Sequence, residues 1–107
     1  MFARIVECYA KVGMGDEAAS MVREEVLPIL RTQPGFVDLF ALRDSRDRQR
    51  VVCITFWNTQ ESAFHYHREH YNSIARALDA ILDTKLTLET LLVEVSTAHN
   101  VPASHAA

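Results

Sequence analysis

Three stretches of this chain carry apolar side chains on both of their alternating faces, and that pattern restricts its fold more than anything else in it. Residues 50–57 place Val52, Ile54 and Phe56 on one face and Val51, Cys53, Thr55 and Trp57 on the other. Residues 36–43 offer Phe36, Phe40 and Leu42 against Val37, Leu39 and Ala41, and residues 87–95 offer Leu88 and Leu92 against Leu91, Val93 and Val95. An antiparallel sheet with one wet face alternates apolar with polar. Here both faces need cover.

The covering elements are few. Phe2–Val12 reads as a first strand through Ile5, Val6, Cys8 and Tyr9, broken by Gly13 and Gly15. Asp16 is the expected N-cap of a helix over 17–31, whose inward stripe is Ala18, Met21, Val22, Val26, Ile29 and Leu30. Pro28 should loosen its last turn. Pro34-Gly35 marks the turn into the second strand, and the charged tip 44–49 joins the second and third strands as a hairpin. Asn58 with Glu61 suggests a capping box for a second helix. Its stripe is Phe64, His67, Tyr71, Ile74, Ala75, Leu78, Ile81 and Leu82, with His67-Arg68-Glu69-His70 a possible break into two pieces. A last strand follows over 87–95.

The order β-α-β-β-α-β is the α+β, ferredoxin-like arrangement: a four-stranded antiparallel sheet with two helices. Right-handed crossovers put both helices on one face. The other face then lacks cover, and a second copy of the chain, packed sheet against sheet as a homodimer, is the economical solution. One domain over 1–97 and a tail over 98–107, frayed at its end, account for the whole length.

Composition narrows function by exclusion. A formal charge of −3, with Arg43, Arg46, Arg48 and Arg50 interleaved with Asp44 and Asp47, does not suit nucleic acid. No apolar run approaches the roughly 18 residues of a membrane span, so no membrane partner and a cytoplasmic setting are expected. Cys8 and Cys53 lie in apolar strands and read as buried thiols, with a disulfide or a reactive thiol the competing reading that no CxxC or activating neighbour supports. No phosphate-binding glycine pattern, nucleophile elbow or HExxH sequence occurs. His67 and His70 share a helix face, but no third ligand accompanies them, and no metal is expected.

The remaining polar candidates are specific. His67 falls on the inward stripe, where an imidazole can act as a base or simply be satisfied in the core. Tyr71, and less directly Tyr66, can hydrogen-bond a substrate oxygen. Trp57 can wall an aromatic pocket or anchor the core. His70 and Phe64 flank the same stripe. Glu7, a charge inside an apolar strand, either pairs with Arg4 or Arg43 or lines a pocket, and Asp38 poses the same question.

Gln33-Pro34-Gly35-Phe36 opening the second strand, Thr55-Phe56-Trp57 closing the third, Glu61 soon after and histidines in the following helix make this chain similar to the antibiotic-biosynthesis-monooxygenase family over residues 2–96. That resemblance implies a dimeric α+β barrel without a cofactor. It also implies a cofactor-independent monooxygenase or related oxidoreductase acting on a small hydrophobic phenol or quinone. In it His67 and Tyr71 are the catalytic candidates, and Trp57, His70, Glu7 and Phe64 the substrate-binding ones. The haem-degrading branch of the family is the poorer fit: Val6 and Glu7 replace its first-strand Asn, and Tyr66 and Arg76 replace its helical Trp and His. A non-catalytic, small-molecule-binding or stress-associated homodimer of the same fold is the competing reading.

Overall fold

The strands form where the period-two pattern places them. In the computed structural model, which describes residues 1–84 and 86–101, they are β1 (Phe2–Tyr9), β2 (Phe36–Arg43), β3 (Arg50–Trp57) and β4 (Thr87–Leu92). All pairings are antiparallel, in the spatial order β2-β3-β1-β4. This is the ferredoxin-like topology. The barrel is not formed: among the described residues β2 pairs only with β3 and β4 only with β1, so both remain edges of an open sheet.

Two helical arms cover one face. The first is α1 (Gly15–Met21), a π-helical turn (Val22–Val26) and α2 (Leu27–Arg31). The second is α3 (Gln60–Tyr66), a π-helical turn (His67–Tyr71) and α4 (Asn72–Leu78). In the first arm the inward residues Ala18, Val22, Val26 and Leu30 recur every four positions. An ideal α-helix would rotate such a row off the sheet, and an under-wound π turn keeps it facing inward. Pro28 follows that turn, where its missing N–H leaves the ladder interrupted anyway.

Both helix starts differ from expectation. α1 begins at Gly15 after Met14, and Asp16 lies exposed in the first turn, bonded to Arg43 at 2.9 Å. α3 is capped by Thr59, whose hydroxyl accepts from the Ser62 N–H, rather than by Asn58. The first strand stops at Tyr9, with Ala10 only bridging to Leu82 and Val12 fully outside. The last strand stops at Leu92.

Two one-residue slips rearrange the predicted faces. A bulge between Phe36 and Asp38 leaves Val37 unpaired, so Phe36 joins Trp57 on the helix-covered side while Phe40 and Leu42 stay on the outer side. The π turn at His67–Tyr71 contains one extra residue per turn, so the stripe upstream of it is out of phase with the stripe downstream. Ala63 and Tyr66 therefore turn inward, and Phe64 is left 42% exposed.

The core lies between the sheet and the arms in two clusters. Cys8, Ala10, Ala18, Val51, Leu78 and Leu82 form one, and Leu30, Trp57 and Ala63 the other. The chain beyond β4 is tied back. Ser96 Oγ accepts from the N–H groups of Ala98 and His99, and His99 Nε2 lies 3.3 Å from Asp38 on β2. The end expected to fray, residues 102–107, lies outside the described residues.

Candidate functional site

Side chains at alternate positions of β1, namely Phe2, Arg4, Val6 and Cys8, look toward the helical arms. The middle of that row is a cavity of about 80 Å³ between sheet and arms. Its wall is nearly all aliphatic, with Val22, Val26, Leu39, Ile74 and Leu88 among its members. The polar groups on it are Arg4, Thr55, Tyr66 and Tyr71, together with the Cys8 and Cys53 thiols.

Arg4 is the unusual member. It is 5% exposed, the single buried charged residue among those described, and it has no carboxylate partner there. Nη1 donates to the Ala63 carbonyl at 3.1 Å and Nη2 to His67 Nδ1 at 3.1 Å. Nε is buried without a partner among the described residues. Desolvation pulls the guanidinium below its ordinary value, yet an arginine so placed still carries its charge.

His67 does not itself line the cavity but contacts two residues that do, Arg4 and Tyr71. Because Nδ1 accepts from Arg4, the neutral ring carries its proton on Nε2. The ring stacks on Tyr71 with centroids 4.4 Å apart. Burial, and then the Arg4 charge, push its pKa below the usual histidine value, so it is neutral at pH 7. Tyr66 is pushed up to about 12 by burial, against a smaller opposing pull from Arg4. Tyr71 is raised in the same way. Both phenols are therefore donors rather than bases. Burial also raises Cys8, and takes Cys53 to about 12, so these unpaired thiols stay protonated.

The other anticipated residues scatter. Trp57 is fully buried one layer behind the wall, its Nε1 donating to Thr55 Oγ1 at 2.9 Å and its ring against Phe36 and Tyr66. His70 lies tilted against Tyr66, ring centroids 5.8 Å apart, with Gln33 Nε2 at 3.2 Å from its Nε2. Phe64 points away from the cavity, beside Pro34 and Arg68. Glu7 is on the opposite face of the sheet, paired with Arg50 rather than with Arg4 or Arg43, at 2.6 Å. His67, Tyr71 and, through Tyr66, Trp57 and His70 thus come together, and Glu7 and Phe64 do not.

Sequence reasoning passed over Arg4 except as a partner for Glu7. The available signal was parity: Arg4 shares its face with Val6 and Cys8, whereas Glu7 does not. Among the described residues no three His, Cys, Asp or Glu side chains gather as a metal site. No helix there is long and apolar enough to cross a membrane.

A family model for antibiotic biosynthesis monooxygenases matches residues 1–77. The chain belongs to the antibiotic biosynthesis monooxygenase family. Solved structures agree in fold. Protein NE2512 of unknown function from Nitrosomonas europaea superposes with a TM-score of 0.76 at 17% identity, covering 95% of this chain and 94% of its own. A variant of SnoaB, a cofactor-independent oxygenase from Streptomyces nogalater, gives 0.77 at 18% identity, covering 92% and 97%. Rv0793 from Mycobacterium tuberculosis gives 0.72 at 11%, covering 90% and 97%. No curated protein matches this chain in sequence. At these identities the structures establish the monooxygenase-family fold and leave the substrate open.

Proposed function

We propose that this protein is a cofactor-independent monooxygenase, or a related oxidoreductase, acting on a small hydrophobic phenol or quinol. Membership of the monooxygenase family supports an oxidoreductase-type role. The observation that carries the finer reading is the neutral His67 imidazole held between a buried cation and a tyrosine, both of which line an apolar cavity.

In this reading a substrate hydroxyl enters between His67 and Arg4. Arg4 Nη2 leaves Nδ1 for the substrate oxygen, and the freed Nδ1 takes the hydroxyl proton. The resulting phenolate, held away from water by the aliphatic wall, is rich enough in electrons to reduce O2 directly. A phenol with a C–H opposite its hydroxyl and one O2 then yield a quinone and one water. One oxygen atom enters the ring and the other takes the two hydrogens. The tyrosine hydroxyls orient the substrate as donors.

Size restricts the substrate. An apolar cavity that takes benzene measures about 150 Å³. The present 80 Å³ is about half of that, so even one ring requires the wall to move. Partly exposed Tyr71, on both wall and rim, is the side chain placed to yield.

The reading includes a homodimer. Ile5, Val52, Ile54, Phe56 and Leu91 lie on the outer sheet face with Phe40 and Leu42, the last two 48% and 49% exposed. So continuous an apolar face is unusual for a lone chain, and the same face of a second copy is its complement. Two unpaired thiols suit a reducing, cytoplasmic setting.

The test is oxygen uptake with one-ring phenols and quinols. The wild type should consume O2 in step with quinone formation, and His67→Ala should abolish turnover while leaving the dimer intact. Unchanged turnover in His67→Ala would sink the assignment, as would failure of every such substrate to consume O2.

A further inference from the structure

The two helical arms that roof the cavity are joined thinly. An outward-facing groove of about 170 Å³ runs between them, lined by Met21, Val26 and Ile29 from the first arm and by Ile74, Ala77 and Leu78 from the second, among others. Val26, Ile74 and Leu78 also line the cavity, so these three side chains stand between it and the groove. None carries a polar group, and parting them breaks no side-chain hydrogen bond of theirs. Among the described residues one side-chain hydrogen bond links the arms. Gln33, just past α2, sets its Nε2 3.2 Å from His70 Nε2 and 3.3 Å from the Ile29 carbonyl. The same amide lies 3.1 Å from Thr32 Oγ1, so its two protons serve three acceptors. Release of His70 therefore leaves both protons with a partner. Each arm also carries a π-helical turn beside this seam: Val26 closes one, and His70 and Tyr71 close the other. Such turns interrupt the regular α ladder and recur at functional sites.

We propose that the seam between the arms is the entrance of the cavity, with Gln33–His70 as its clasp and Val26, Ile74 and Leu78 as its gate. The proposal deepens the reading of this cavity as a substrate site, and rests on it for its purpose, by giving the route that a small apolar molecule takes. Such a molecule meets the groove first and passes inward when the clasp is released. His70 and Tyr71 are consecutive in one π turn, so a movement that frees the clasp also shifts Tyr71 on the cavity wall. The rival route lies at the β2 edge, where Val22 and Val51 separate the cavity from another groove. Both of those side chains are buried, Val51 is fixed within β3, and Arg43 on that groove is held by Asp16.

Cys8 and Cys53 line the cavity, and their thiols report access to it with no substrate present. Methyl methanethiosulfonate, a small thiol reagent, is added to the purified protein, and the mass gained at each cysteine is followed in time. The wild type should react faster than it unfolds globally, through local opening of the seam. A clasp worth one ordinary hydrogen bond predicts a rate about two- to tenfold higher in Gln33→Met and in His70→Phe. Ala77→Phe, at an exposed position on the groove, should slow the reaction several-fold. Urea unfolding of each variant supplies its global stability. An unchanged rate in Gln33→Met overturns the proposal, as does an unchanged rate in Ala77→Phe. So does a rate that follows global stability through the series, because unfolding then exposes the thiols. Gated thiols in a protein that consumes no O2 leave the entrance standing and remove the proposed reaction. Oxygen uptake with thiol access indifferent to the seam does the reverse.

Discussion

Replacing Arg4 by Met should make the protein more stable, and the size of the gain follows from the contacts of the guanidinium. Exchange of a buried ionic group for an apolar side chain of similar volume is neutral to stabilising by about 1–4 kcal/mol. The orphaned Nε, which costs about 1–3 kcal/mol, disappears with the substitution. Two hydrogen bonds are lost, but neither acceptor is stranded. The Ala63 carbonyl also accepts the His67 backbone N–H, and His67 Nδ1 belongs to a partly exposed ring that water can reach. The balance is a gain of about 1–3 kcal/mol, or a melting temperature roughly 4–8 °C higher for each kcal/mol in a domain near this size. Urea unfolding and thermal melts at one fixed protein concentration measure it, with an unchanged m-value confirming that compactness is the same. A loss of 2 kcal/mol or more would refute the reasoning. Arg4 would then be a structural tie between β1 and α3, and its buried charge would need no ligand to account for it.

Three further outcomes follow from the same geometry. Leu30→Ala removes one of the two largest fully buried side chains, against Trp57 and Ala63, and should cost about 2–5 kcal/mol in chemical denaturation. Gly35 has φ +80° and an added Cβ would sit 2.6 Å from Ser62 Cβ, so Gly35→Ala should cost at least about 1–2 kcal/mol in the same assay. His67 is neutral in the fold because its pKa is depressed below 6.5, so the acid limb of kcat/KM should fall below that value and move up in Arg4→Met. The sign for stability agrees: the folded state binds fewer protons at His67, so its contribution is complete above pH 6.5. It is lost as the pH falls through the depressed value, which NMR titration of the ring checks directly.

Whatever depends on a short period was legible in the sequence. Strand alternation needs only the two-residue repeat, so the bounds of β2 and β3, the opposing faces of β3 and the doubly apolar sheet could all be read locally. The inward stripe of the first arm was equally plain, and so was the family resemblance carried by Pro34-Gly35 and Thr55-Phe56-Trp57. What failed did so at single-residue insertions. The bulge at Val37 and the π turn at His67–Tyr71 each shift the phase by one residue; the break into two helical pieces at His67–His70 was readable in the sequence, but the change of face it causes was not, and the bulge has no side-chain signature of its own. They moved Phe36 to the covered face and exchanged Phe64 for Ala63 and Tyr66. Long-range partners were out of reach for a related reason. Glu7 meets Arg50 only because β1 and β3 pair in the register that sets Glu7 opposite Val52 and Tyr9 opposite Arg50. The open edges of β2 and β4, which replace the expected barrel, are likewise a property of the whole sheet. Arg4 shows the division most clearly: the chain alone placed an arginine among apolar neighbours, and only the packing of α3 over β1 left its charge buried, tied to His67 and without a counter-ion among the described residues.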